Sequence, residues 1–128
     1  MLLVDFNQVV ISNFMAQVGN HTNIPLDESL LRHMILNTIR LNRNKFADKY
    51  GEMVICCDSK KYWRRDVFPY YKASRKKDRE ASGVDWNTMF NTLSTVRQEL
   101  IDTFPYKTLI VEGAEADDII GTLVHKYN

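Results

Sequence analysis

The sequence predicts a layered α/β fold built on a parallel sheet. Three observations predict it: three short apolar runs of strand length, helical periodicity between them, and an acidic residue just beyond each run. Parallel strands need helical crossovers, and ligands of such sheets sit beyond the strand carboxyl ends.

The elements follow in order. Leu2-Leu3-Val4 is the first strand, ending at Asp5. Over residues 6–18, Phe6, Val9, Val10, Phe14 and Val18 recur near helical spacing, and Gly19-Asn20 breaks the pattern. Residues 27–50 form the longest predicted helix, with Leu30, Leu31, Met34, Ile35, Thr38, Ile39, Phe46 and Tyr50 recurring mostly at three and four. Gly51 suits its stop. Met53 to Cys57 is a continuous strand of buried type, ending at Asp58. Residues 59–84 show no steady period and read as a long connection, partly ordered and partly mobile, of the kind that is often functional. Asp85 is placed to cap a helix running to about Phe104, with Trp86, Met89, Phe90, Leu93, Val96, Leu100 and Ile101 on one side. Lys107 to Val111 is the third strand. Glu115 opens a last helix with Ile119, Ile120, Leu123 and Val124 inward.

A chain of 128 residues suits one domain, and its apolar share is enough for a core. No run is long and apolar enough for a transmembrane helix, and the first residues lack the pattern of a signal peptide. Cys56 and Cys57 are adjacent, without a zinc-type partner set. They read as buried strand residues in a reducing, cytoplasmic setting. His21, His33 and His125 read as structural or surface side chains, and the five methionines as core filling.

The net charge of +1 conceals segregation. Residues 60–80 carry nine basic and three acidic side chains, a net +6, which leaves −5 for the rest. Tyr62, Trp63, Phe68, Tyr70 and Tyr71 are interleaved with these cations. Such a stretch suits a polyanion surface and equally suits a solvated loop.

The acids point to chemistry. Asp5, Asp58 and the run Glu112-Gly113-Ala114-Glu115-Ala116-Asp117-Asp118 each follow a predicted strand. Gathered on one sheet edge, their carboxylates would repel one another, and a hard divalent cation relieves that repulsion. Taken singly, Asp5 or Asp58 also reads as a strand-end turn residue, and the acids at 115–118 as favourable to a helix N-terminus. Four acids within seven residues exceed what capping requires.

Five motifs occur in series: Leu3-Val4-Asp5-Phe6, Ile55-Cys56-Cys57-Asp58, Tyr62-Trp63-Arg64-Arg65-Asp66, Tyr70-Tyr71-Lys72-Ala73-Ser74-Arg75 and Glu115-Ala116-Asp117-Asp118. The series resembles the flap-endonuclease superfamily of 5′-nucleases, its phage branch above all. The resemblance implies a three-layer, PIN-like fold for residues 1–128, with 59–84 as a basic helical arch. It implies that Asp5, Asp58, Glu115, Asp117 and Asp118 match metal-site acids for Mg²⁺, with Mn²⁺ as an alternative, in a two-metal site of a complete enzyme. It implies that Lys72 and Arg75 match the basic pair reaching the scissile phosphate, and that Arg64, Arg65, Lys76, Lys77 and Arg79 join them in holding nucleic acid. A spacing of three places Lys72 and Arg75 on one side of a helical turn. Glu115 and Asp118 share a helix face from which Asp117 departs. Tyr70, Tyr71 and Trp63 suit stacking on unpaired bases, although packing beneath the arch is the preferred reading for Tyr70 and Trp63.

The implied activity is 5′-3′ hydrolysis of phosphodiesters in RNA–DNA hybrids, 5′-flaps and duplex ends, as in removal of RNA primers during replication. Family members continue with further strands, an Asp-x-Asp segment and a helix–three-turn–helix module, so residues 1–128 are expected to be an incomplete N-terminal portion that a further segment or a complementing chain completes. DNA and RNA–DNA hybrids are the expected partners, with a single-strand-binding protein or sliding clamp implied by the resemblance alone. An inert nucleic-acid-binding fragment and a PIN-like ribonuclease are the competing readings. The Tyr-Tyr-Lys-Ala-Ser-Arg segment, residues 70–75, argues against the second.

Overall fold

The computed structural model describes residues 1–20, 27–70, 72–81 and 85–127. His21, Tyr71, Gly83 and Asn128 lie outside the described residues. The sheet consists of β1 (Leu2–Asp5), β2 (Met53–Cys57) and β3 (Lys107–Ile110), all parallel, in the order β1-β2-β3. Around it run α1 (Phe6–Asn20), α2 (Glu28–Tyr50), α3 (Trp63–Val67), α4 (Ala73–Ala81), α5 (Trp86–Asp102) and α6 (Ala116–Tyr127).

The alternating side chains of the central strand divide the core into two layers. Met53, Ile55 and Cys57 face the packed faces of α1, α2 and α5, where Phe6, Val10, Phe14, Leu31, Ile35, Ile39, Met89, Val96 and Leu100 are fully buried. Val54 and Cys56 face α6, against Ala116 and Ile119. Because β2 is covered on both faces, its five residues are all buried, which is why it reads as an unbroken apolar run. The result is the expected α/β fold of three layers.

Caps set the helix boundaries. Asp27 accepts from the backbone N–H of Leu30, Asp85 from that of Thr88, and Gly51 closes α2 at a positive φ that suits glycine. The helix at 6–18 continues through Gly19-Asn20 rather than breaking there. Helix α5 stops at Asp102, two residues short of Phe104, which packs against the core beside it. Strand β3 ends at Ile110, and Val111 is exposed. Leu30, Tyr50, Phe90, Ile101 and Val124 are exposed at 39–47%, so the apolar stripes of these helices are narrower than their periodicity suggests.

The larger departure lies in residues 59–84. The segment whose pattern reads as a partly ordered, partly mobile connection contains two helices, α3 and α4. Among the described side chains, neither has a buried residue to signal its period. Ser74, Arg75, Lys76, Lys77 and Asp78 of α4 are all exposed, so this helix rests on local propensity and polar contacts rather than core packing.

Candidate carboxylate and basic site

Because the three strands are parallel, their carboxyl ends share one edge. Asp5 terminates β1, Asp58 follows β2, and the turn after β3 leads through Gly113 to Glu115. That turn is stitched to the segment after β2. Ser59 N–H donates to the Ala114 carbonyl at 2.9 Å, and Trp63 N–H to the Gly113 carbonyl at 2.7 Å. Gly113 adopts φ +81°, a conformation disfavoured for residues with a Cβ. The acids before α6 and the cations of α3 are thereby brought side by side.

The acids fall into two sets. In the first, burial raises the pKa of Asp5, the nearby charges of Asp58 and Asp117 raise it further, and a hydrogen bond from Gln8 N–H opposes them. Asp58 accepts from Ala116 N–H at 2.5 Å and so caps α6 from the end of β2, while Asp117 is exposed. Asp58 and Asp117 thus act on Asp5 as like charges.

In the second set the charge is compensated. Glu115 is 3% exposed, and its two oxygens are divided between Arg64 Nη1 and Lys72 Nζ, each at 2.6 Å. Asp118 receives Arg64 through both terminal nitrogens, at 2.5 and 2.9 Å, and Trp63 Nε1 at 3.2 Å. It also accepts from Glu115 N–H at 3.0 Å, the reciprocal half of a capping box. The Arg64 fork holds the Asp118 carboxyl down at about 2. The helix face shared by Glu115 and Asp118, and departed from by Asp117, is thus as expected. Among the described residues, no three Asp, Glu, His or Cys side chains stand close enough to hold one metal ion. The five acids therefore share an edge without closing around a point.

The predicted cations also separate. Lys72 is not within the helix that carries Arg75: it precedes α4 with φ +55°, its carbonyl accepts from Arg75 N–H at 3.1 Å, and its side chain turns back onto Glu115. Both nonetheless line one cavity of about 430 Å³, together with Asp58, Tyr62, Trp86 and Phe90. Arg65 lies over Tyr62 and Arg79 over Phe90, whereas Lys76 and Lys77 are exposed on α4. Trp63 and Tyr70 are 49% and 79% exposed, so neither packs beneath the arch as preferred from sequence. The reason is that α3 and the turn after it have no buried residues to pack against.

Two participants were missed. Trp63 donates to Asp118, and Arg97 of α5 donates to the Asp58 carbonyl at 3.4 Å. The basic-aromatic composition flagged the first as a stacking group; nothing in the pattern of α5 flags the second. Cys56 and Cys57 are free and buried, and burial pushes their thiols to about 11 and about 12, so they are inert strand residues as expected. His33 and His125 are exposed.

A parallel α/β domain with carboxylates along its strand ends and a basic segment beside them has the architecture of a nuclease N-terminal domain. The chain belongs to the 5′-3′ exonuclease, N-terminal resolvase-like domain family, whose model matches residues 1–128. It is 39% identical over 129 residues to the ribonuclease H of Enterobacteria phage T4, across 98% of this chain and 42% of that protein. It is 32% identical over 92 residues to a 5′-3′ exonuclease of Buchnera aphidicola, across 72% of this chain and 29% of the relative. The chain thus spans well under half the length of these relatives. The structure of the T5 5′-exonuclease with divalent zinc ions bound superposes with a TM-score of 0.66 at 18% identity, over 98% of this chain and 43% of that one. That likeness concerns the fold. No described helix is long and apolar enough to cross a membrane.

Proposed function

We propose that this domain is the N-terminal, cation-binding part of a 5′-3′ nuclease that hydrolyses phosphodiesters in RNA–DNA hybrids, 5′-flaps and duplex DNA ends, the work of RNA-primer removal. The observation that carries the reading is the placement of Asp58 in one cavity with Lys72 and Arg75, beside Asp5 and Asp117. Relatives named ribonuclease H and 5′-3′ exonuclease support it.

The donor set fits a hard divalent cation in kind. It is all carboxylate oxygen, and the charges of Asp58 and Asp117 oppose ionisation of Asp5. Mg²⁺ is the proposed ion and Mn²⁺ its substitute, held by Asp5, Asp58 and Asp117, with Glu115 and Asp118, paired to Arg64 and Lys72, further along the same edge. When bound, the cation supplies charge neutralisation and Lewis acidity at the phosphate. Lys72 and Arg75 bind the phosphate and stabilise charge developing on it. Lys76, Lys77 and Arg79 hold the flanking backbone without reading sequence. The family's two-metal arrangement draws on further acids, so hydrolysis by residues 1–128 alone is expected to be slow.

The test is cleavage of 5′-labelled flap, nicked and hybrid substrates with Mg²⁺ or Mn²⁺, against an EDTA control. The reading expects cation-dependent release of 5′ products that Asp58→Asn abolishes. Equal cleavage in EDTA, or no affinity for any of the three substrates, overturns it.

A further inference from the structure

We propose that Arg64 is a positioning residue: its guanidinium clamps the segment after β2 to the start of α6, and it is not a phosphate contact. The resemblance grouped Arg64 with the nucleic-acid cations, but its geometry is unlike theirs. Its Nη1 reaches Glu115 at 2.6 Å and Asp118 at 2.9 Å, and its Nη2 reaches Asp118 at 2.5 Å. A planar fork that meets a carboxylate through two nitrogens while also serving a second carboxylate has its donor edge committed. The side chain is 29% exposed, and the Trp63 ring lies 4.6 Å from its central carbon. The indole N–H of that same tryptophan meets the Asp118 oxygen that Arg64 Nη1 meets. By contrast, Arg75, Lys76 and Lys77 stand exposed on α4.

The clamp joins residues more than fifty positions apart, where the backbone is already paired. Tyr62 bridges to Gly113, and Trp63 N–H bonds to the Gly113 carbonyl. Asp118 passes the restraint on, since the oxygen held by Arg64 and Trp63 also accepts from Glu115 N–H. Glu115, fixed from one side by Arg64, presents its other oxygen to Lys72. Arg64 therefore sets where Lys72 and the α6 acids stand relative to one another. The placement of those groups as functional rests on the nuclease reading. The clamp itself does not.

The experiment compares Arg64→Lys and Arg64→Gln with the wild-type chain. Amide hydrogen exchange is followed by mass spectrometry, and single-stranded oligonucleotide affinity is measured as a function of salt. A lysine keeps the charge but cannot span two carboxylates in a plane. The clamp predicts that both variants raise exchange at least tenfold in residues 59–70 and 112–120 together. Peptides from α2 and β2 stay as in wild type, and the salt slope of binding is unchanged. Arg64→Lys matching wild type in exchange, or Arg64→Gln lowering the salt slope by about one while exchange stays as in wild type, assigns Arg64 to phosphate and overturns the proposal. Trp63→Phe keeps an aromatic ring beside Arg64 and removes the indole N–H. It is expected to loosen the same two segments by a smaller factor, and unchanged protection there also overturns the proposal. The exchange measurements need neither cation nor nucleic acid, so failure of the nuclease reading leaves them interpretable.

Discussion

Replacing Lys72 by alanine should weaken the fold as well as the handling of phosphate. Lys72 Nζ stands 2.6 Å from a Glu115 oxygen, and the two side chains are 25% and 4% exposed. Removing one partner of a fully buried ion pair costs about 3–5 kcal/mol, because the other charge is left uncompensated. Here Lys72 keeps some contact with water and Arg64 still serves the other Glu115 oxygen, which reduces the cost to about 1–2 kcal/mol. The backbone supplies an internal control. Lys72 sits at φ +55°, a left-handed conformation that costs residues with a Cβ about 1 kcal/mol. Lys72→Gly loses the same ion pair but relieves that strain, so it should be about 1 kcal/mol more stable than Lys72→Ala. Urea unfolding at pH 7 in EDTA measures both, and in thermal scans each kcal/mol corresponds to about 3–5 °C for a chain of this size. Both variants falling within about 0.3 kcal/mol of wild type, well inside the scatter of ordinary surface substitutions, would refute the reasoning.

Further outcomes follow from the other charged groups. Asp118→Asn should cost about 1 kcal/mol at pH 7: a carboxyl held at about 2 against an ordinary 3.8 represents about 2.4 kcal/mol, which partial exposure reduces. The stabilisation of a depressed carboxyl is complete above its ordinary pKa and lost as the pH falls towards 2, so the wild-type advantage should shrink below pH 4 in urea titrations. Asp5→Asn should behave oppositely, because the Asp5 carboxyl is raised by burial and by Asp58 and Asp117. Its ionisation costs stability as the pH rises above the ordinary carboxylate value, and the variant should be more stable than wild type at pH 7 but not at pH 3. Joint replacement of Lys76, Lys77 and Arg79 by alanine should lower the salt slope of oligonucleotide binding by about two, with no change in sequence preference; an unchanged slope would make α4 a solvated helix only.

What the sequence made legible follows from what its patterns record. Period-two and period-3.6 hydrophobicity report burial, so β2 and the inward faces of α1, α2 and α5 were readable from Ile55, Phe14, Ile35 and Val96. The acids at the strand ends were readable because a parallel sheet fixes where those ends meet. The periods of α3 and α4 were not readable, since none of their described side chains is buried; only the family resemblance pointed to helix in this segment. The division of the acids was half readable. Spacing separates Asp117 from Glu115 and Asp118, but only the three-dimensional approach of α3 to α6 reveals that Arg64 and Lys72 compensate that pair. Arg97 reaches Asp58 through tertiary contact alone, and its neighbours in α5 give no hint of it.

The proposed cation site draws on Asp5, Asp58 and Asp117 at the carboxyl edge of the sheet, three side chains that an ion would have to bring closer together. Thermal unfolding with increasing Mn²⁺ tests it on the chain as it stands, against the triple variant Asp5→Asn, Asp58→Asn, Asp117→Asn. An ion that binds only the folded chain stabilises it by about 2.7 kcal/mol at a hundredfold excess over its dissociation constant. The wild-type midpoint is expected to rise with Mn²⁺ concentration, and that of the triple variant is not. An equal rise in both proteins, or none in the wild type, would contradict it.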